Sequence, residues 1–219
     1  MSTRQLPKLT TTSFALLGLL QRKPWSAYEL TRFMRHSILR AVWPRAESHL
    51  YSEPKLLQKR GYAVSREESN GARKRTVYSI TESGREALLN WLNEERASEF
   101  RFEYELLVRL AFAESVTVDV ALVYLQQVRV EVFRDAAEAR AAVDAELAES
   151  QQLAARPNAP YAGAIIHLIA DQLDSRLRWA DNMSHQLSRL QSGADTVGDV
   201  AADLYLDARA RLQDILARQ

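Results

Sequence analysis

The apolar positions fall into two regimes along the chain. Up to about residue 92 they form short helical runs interrupted by Pro, Gly and one alternating stretch, and beyond residue 99 they step along long helices. Phe14-Ala15-Leu16-Leu17-Gly18-Leu19-Leu20 predicts a helix entered through Thr12 or Ser13 and stopped at Lys23-Pro24. Ser26 and Glu29 have the spacing at which a hydroxyl caps the N3 amide and a carboxylate answers the amide of the cap. A second helix therefore opens at Ser26 and carries Leu30, Phe33 and Met34 on one face. A third begins after Trp43-Pro44, with Leu50, Leu56 and Leu57 apolar, and ends at Gly61, a residue suited to the left-handed position after a helix.

The period then changes. Residues 62–66 and 76–80 alternate in the manner of strands, and the polar stretch 67–75 between them contains the turn signal Asn70-Gly71, which predicts a hairpin. Thr81-Glu82-Ser83-Gly84 caps a fourth helix through Ala87, Leu88, Trp91 and Leu92. In the second half, residues 99–114 are expected to be helical, with Phe102, Leu106, Leu110 and Ala113 along a stripe. Thr117 then caps a helix reaching about residue 155. Its apolar positions Leu125, Val128, Val132, Ala136, Ala139, Val143 and Leu147 step by 3, 4, 4, 3, 4 and 4, an 11-residue period that keeps the stripe nearly straight or slightly right-handed. Arg156-Pro157-Asn158-Ala159-Pro160 breaks the chain before another helix at 162–190, with Ile166, Ile169, Leu173, Ala180, Leu187 and Leu190 on a face. Thr196 and Asp199 open a last one holding Val200, Leu204, Leu212 and Ile215.

Three helices, a hairpin and a helix in this order are the layout of a winged helix-turn-helix, expected over residues 10–95, with a β-hairpin as its wing. Leu16, Leu19, Leu20, Leu30, Phe33, Leu50 and Leu57 would form its core, and Val64, Val77, Tyr78 and Ile80 would tie the wing to it. Residues 96–219 read as an α-helical dimerisation domain, because two long amphipathic helices offer more apolar face than one small domain covers. The fold class is thus mainly α.

Composition narrows the function. The chain has 219 residues, 47% of them hydrophobic, enough for one large domain or two small ones with a real core. It has no cysteine, which excludes disulfide frameworks, thiolate zinc sites and cysteine nucleophiles. No apolar run approaches the ~20 residues of a membrane span. The run 14–20 has the length of a signal-peptide core, but Gln21, Arg22 and Lys23 follow it in place of a small-residue cleavage site, so a cytoplasmic protein is expected. The net charge of +1 hides an asymmetry: residues 1–95 hold 16 Lys and Arg against 9 Asp and Glu, and residues 96–219 hold 13 against 19. A basic module that faces a polyanion, joined to an acidic one with another task, has this signature, as has drift between two solvated surfaces.

In a winged module the helix before the hairpin enters the major groove and the hairpin reaches a neighbouring groove or backbone. The groove helix offers Ser48, His49, Tyr51, Ser52, Lys55 and Lys59, and the wing offers Arg73-Lys74-Arg75, three successive cations suited to phosphates. A solvated charged turn would use the same residues on a protein without DNA affinity. His36, His49, His167 and His185 lie far apart, and no glycine-rich phosphate loop or nucleophile elbow occurs, so no enzyme is expected. His167 with Asp171, and Asp181 with His185, have a spacing that could hold a metal, but ion-paired or solvated side chains use it far more often; no metal and no cofactor are expected. Trp43, Trp91, Phe100, Phe102, Tyr104 and Trp179 read first as core or interface, and second as the lining of a pocket for a small apolar or aromatic effector at the junction of the two halves.

Residues 14–92 resemble the PadR family of bacterial transcriptional regulators. The resemblance is carried by Ala15-Leu16-Leu17-Gly18-Leu19-Leu20, by Ser26-Ala27-Tyr28-Glu29-Leu30, by Ser48-His49-Leu50-Tyr51, and by Lys59-Arg60-Gly61-Tyr62. Arg73-Lys74-Arg75-Thr76-Val77-Tyr78-Ser79-Ile80-Thr81-Glu82-Ser83-Gly84 completes it as the basic wing with its Tyr, Thr and Gly signature. Trp43, Trp91-Leu92 and Glu105-Leu106-Leu107-Val108-Arg109-Leu110 resemble the subgroup with a large helical C-terminal region, which includes virulence activators of the AphA type. The resemblance implies a homodimer that binds double-stranded DNA at an inverted repeat, most often as a repressor and sometimes relieved by a small ligand. Tyr28, Ser48, His49, Tyr51, Ser52, Lys55, Arg73, Lys74 and Arg75 would make its DNA surface. A protein-interaction adaptor with the same fold and little DNA affinity is the alternative. Two features depart from the family pattern: Pro54 falls inside the groove helix, where a kink or a late helix start is expected, and the segment after Leu190 is long.

Overall fold

The computed structural model describes residues 8–37, 39–43, 46–70, 73–95, 100, 102–148 and 155–218, with the side chains of Asn70 and Arg73 outside the description. The chain divides into two compact units, residues 1–99 and 100–219. The fold is mainly α, with one three-stranded antiparallel sheet of order β1-β3-β2 in the first unit.

The first unit is α1 (Thr11–Arg22), β1 (Trp25–Ser26), α2 (Ala27–His36), α3 (Leu39–Val42), α4 (Glu47–Lys59), β2 (Ala63–Asn70), β3 (Arg73–Ile80) and α5 (Glu82–Leu92). The cap of α1 is Thr10, not Thr12 or Ser13. Of the four hydroxyl residues at 10–13, Thr10 alone has a hydroxyl at N3, so the two can answer each other: Thr10 N–H donates to Ser13 Oγ at 2.9 Å, and Ser13 N–H donates to Thr10 Oγ1 at 3.2 Å. The box of α2 forms as expected on Ser26 and Glu29. β1 and α3 escape the sequence pattern because two and four residues are too few for a period to be visible. The alternating runs 62–66 and 76–80 are the inner parts of longer strands, and the polar residues between them extend both arms with the pairing Glu68↔Arg75 and Glu67↔Thr76. Opposite charges directly across a ladder support a strand as apolar pairs do. The turn expected at Asn70-Gly71 lies outside the described residues.

Leu16, Leu17, Leu30, Leu50, Leu57 and Tyr78 make the centre of the module core, with Phe33 packed against it. Val64 is exposed and does not tie the wing to the module as expected, because Ala63 takes the inward position and successive strand residues face opposite sides. Gly61 has φ +79°, as a residue after a helix requires.

The second unit is α6 (Glu105–Ala111), a 3₁₀ turn (Ala113–Ser115), α7 (Val118–Ala148), α8 (Ala159–Gln191) and α9 (Val197–Leu216). Of the helix expected over 99–114, the described residues form an α-helix from Glu105 to Ala111, and Phe102 lies before it. α7 and α8 pack along each other around Leu106, Val128, Val132 and Ala180. The α7 stripe is buried at Leu125, Val128 and Val132, half-buried at Ala136, Ala139 and Val143, and exposed at Leu147. Thr196 and Asp199 form the expected box of α9, and Arg189 of α8 pairs with Asp195 at 2.6 Å and Asp203 at 2.7 Å, fastening that end. Among the described residues no helix is long and apolar enough to cross a membrane.

Candidate nucleic-acid interface

Two faces of α4 are sharply divided. Leu50, Pro54 and Leu57, spaced four and three, are buried. Ser48, Tyr51, Ser52, Lys55 and Lys59 lie on the opposite side and are exposed, with His49 exposed beside them. Lys55 and Lys59 have no carboxylate partner among the described residues, so this face carries uncompensated positive charge. Pro54 neither delays the helix nor divides it: α4 begins at Glu47 and continues to Lys59. The ring fills the buried face, where apolar packing offsets a missing amide donor.

Two polar ties hold α4 and its approach to the first turn of α1. Ser13 donates its hydroxyl to Glu53 Oε1, and the Trp43 indole N–H donates to Thr12 Oγ1 at 3.1 Å. Ser13 is fully buried and Thr12 nearly so, which makes these bonds internal fixtures. Tyr28 stands on α2, 60% exposed.

The wing is less basic than its sequence. Arg75 donates to Glu29 Oε1 at 3.1 Å and to Glu68 Oε2 at 3.0 Å, while Arg66 pairs with Glu68 at 2.6 Å. Lys74 is exposed and only 3.9 Å from Glu67. The Arg75 guanidinium is held above its ordinary pKa, chiefly by its bond to Glu68 and then by the charge of Glu29. Glu68 is held below the ordinary carboxylate value by Arg75 and then Arg66. Arg73 heads β3, and its side chain is outside the described part. Sequence reasoning missed Glu53 and Glu68, and saw Glu29 only as part of a helix cap. The pairing of Glu68 with Arg75 becomes legible once the strands are drawn to full length, but Glu29 with Arg75 and Ser13 with Glu53 join residues 46 and 40 apart.

The aromatic residues take separate places. In the first unit Trp91 stacks on Phe14, with centroids 4.7 Å apart and planes 4° from parallel. Trp43 lines a cavity of about 350 Å³ with Met34, Arg35, Arg40, Ala46, Glu47 and Leu50. In the second unit Phe100 and Phe102 are exposed, while Tyr104 donates to Glu131 at 2.8 Å under the Arg176 guanidinium, and Trp179 packs against the unit's core. His167 and Asp171 form an exposed pair at 3.2 Å, and Asp181 is bonded to Arg129.

Residues 16–90 match the model of the Transcriptional regulator PadR-like family. The Negative transcriptional regulator PadR of Bacillus subtilis (strain 168) is 31% identical over 80 residues, 36% of this chain and 43% of the relative, so the chain spans under half the length of the curated protein it matches. The crystal structure of Bacillus subtilis PadR in complex with operator DNA aligns with TM-score 0.69 at 18% identity, covering 81% of this chain and 99% of that one. The same protein in complex with p-coumaric acid gives 0.65 at 18% identity over 82% and 99%. The Vibrio cholerae virulence activator AphA gives 0.61 at 16% identity over 82% and 99%. At these identities the structural likeness is one of fold, a winged helix-turn-helix followed by a long helical region. Over residues 16–90 the chain is similar to the Transcriptional regulator PadR-like family.

Proposed function

We propose that the chain is a sequence-specific double-stranded-DNA-binding transcriptional regulator that acts in the cytoplasm as a homodimer on an inverted repeat, most often to repress. The observation that carries this reading is the α4 surface: one exposed face of hydroxyl, imidazole and lysine side chains, backed by a buried face that fixes its aim. Ser48 and His49, in the first turn, reach base edges; Tyr51, 40% exposed, and Ser52 position the backbone; Lys55 adds a phosphate contact. Tyr28 on α2 and the wing residues Arg73 and Lys74 complete the surface, with Arg75 behind them on two carboxylates. Residues 10–95 are the DNA-binding domain and 96–219 the dimerisation domain.

The test is a paired titration on an operator selected from random duplexes and on an unselected duplex. Ser48→Ala and His49→Ala should each cost about 1–3 kcal/mol on the operator and little elsewhere. Tyr51→Phe should weaken both by a similar factor. A chain that binds neither duplex would be the protein-interaction adaptor. If Lys55→Ala collapses the preference while the first two leave it intact, reading starts from the second turn of α4.

A second reading adds an effector. The cavity beside Trp43 opens next to the N-terminal turn of α4, with Met34 and Leu50 as apolar walls and Arg35 and Arg40 at its edge. Arg35 is already paired with Glu47 at 2.8 Å, so the apolar walls and the Trp43 ring are what a small aromatic ligand would meet there, and a fold relative is known in complex with p-coumaric acid. p-Coumaric acid used as the probe should quench Trp43 fluorescence and lower operator affinity, and Trp43→Ala should abolish both effects.

A further inference from the structure

Glu29 divides its two carboxylate oxygens between two tasks. Oε2 accepts the Ser26 N–H at 2.8 Å and the Ser26 hydroxyl at 2.7 Å, completing the α2 capping box. Oε1 accepts Arg75 at 3.1 Å. The second donor arm of Arg75 goes to Glu68, directly across the ladder on β2. One guanidinium therefore joins the start of α2 to both arms of the wing. The short strand β1 brings these groups together: Ser26, the cap of α2, pairs with Val77, two residues along β3 from Arg75.

We propose that Glu29 is a positioning residue that holds the wing through Arg75, and that Arg75 anchors the wing rather than binding a DNA phosphate. This rests on the DNA-binding reading above. The cluster Glu29, Glu68, Arg66 and Arg75 sums to zero charge, with each arginine already on a carboxylate. A phosphate would have to displace two anions from Arg75, so Arg75 has no condensed counterions to release from DNA on its own account. Lys74 stands outside the cluster, 79% exposed in its side chain and only 3.9 Å from the exposed Glu67, so a phosphate displaces far less to reach it. The latch matters because α2 also packs on α4. Through Glu29 the wing is referenced to the helix against which the reading helix leans, and a wing placed in advance spares the ordering cost of docking two elements together.

The chain contains no cysteine, so spin labels can be placed cleanly. Labels at exposed Ser69 on β2 and exposed Arg32 on α2, introduced as Ser69→Cys and Arg32→Cys in the full chain and diluted into unlabelled protein, report the wing-to-α2 distance without DNA. The distribution should broaden in Glu29→Gln and in Arg75→Ala, broaden no further in their combination, and stay narrow in Lys74→Ala. Glu29→Gln retains an oxygen acceptor for Ser26 and so keeps the α2 cap while removing the charge that holds Arg75. On an unselected duplex, Lys74→Ala should lower the log-log salt slope by about 0.9 per subunit. Arg75→Ala should leave the slope unchanged and weaken binding by about two- to fivefold, the range an exposed ion pair is worth. The proposal is overturned if Arg75→Ala lowers the slope as Lys74→Ala does, or if the distance distribution ignores both Glu29 and Arg75. A wild-type chain that binds no duplex overturns the DNA reading alone, and the distance measurement still decides the latch.

Discussion

Gly84 is in the first turn of α5 with its Cα against the backbone of the segment that follows α4. A Cβ there would lie 2.2 Å from the carbonyl oxygen of Tyr62 and 2.8 Å from Cγ1 of Ile80. The Tyr62 carbonyl cannot retreat freely, because it accepts the Thr81 N–H at 3.1 Å. Gly84→Ala should therefore destabilise the protein by about 1–3 kcal/mol, the usual cost of overpacking, read from the denaturant midpoint. Glu29 makes a different residue-scale prediction. Its carboxyl is held below the ordinary value of 4.5, first by the Ser26 backbone N–H, then by the Ser26 hydroxyl and the Arg75 charge. A folded pKa below the unfolded one adds stability above the unfolded value and loses it as pH falls through the folded one. The stability gap between wild type and Glu29→Gln should be full at neutral pH and close as the medium is taken below pH 4.5. A gap independent of pH in urea melts would remove the carboxylate's charge from the explanation.

At the scale of elements, α4 is placed by ties that its own sequence does not contain. Its cap is Ala46, which offers no side-chain acceptor, and its interior carries Pro54. What holds it is burial of Leu50, Pro54 and Leu57 together with the Ser13–Glu53 bond to α1. α1 has no acidic residue in its first turn, so Glu53 also supplies the negative charge that a helix N-terminus favours. Glu53→Ala should lower stability by about 1 kcal/mol, and Glu53→Gln, which keeps an acceptor for Ser13, by less. Thermal melts of the two variants in parallel separate the effect of the bond from that of the charge.

The molecule as a whole leaves apolar surface uncovered in its second unit. Val123, Val130 and Phe133 are each more than half exposed on the side of α7 opposite the buried Leu125, Val128 and Val132. Tyr205, Leu212 and Ile215 are exposed on α9. Exposed apolar side chains in this number suit an interaction surface, and a second copy is the occupant that the proposed regulator requires. Light scattering should give a dimer for the wild type and a monomer for Val130→Asp combined with Phe133→Asp, with unchanged helical circular dichroism. A wild-type monomer at micromolar concentration would remove the homodimer from the proposal.

The order of elements in the first unit, the Ser26, Thr81 and Thr196 caps, Gly61 after α4 and the outward face of α4 were legible in the chain, because each depends on residues within a turn or two of one another. So were the basic wing and the long helices, since composition and period survive without knowledge of partners. Tertiary structure decided the rest. β1 exists because β3 arrives beside it, and the wing arms reach Asn70 and Arg73 because charges pair across them. Proline is tolerated in α4 because its ring lands in the core. Most tellingly, Arg75 reads as a free cation in sequence and is found between two carboxylates, since charge is a property of the residue but its compensation is a property of what folding brings near.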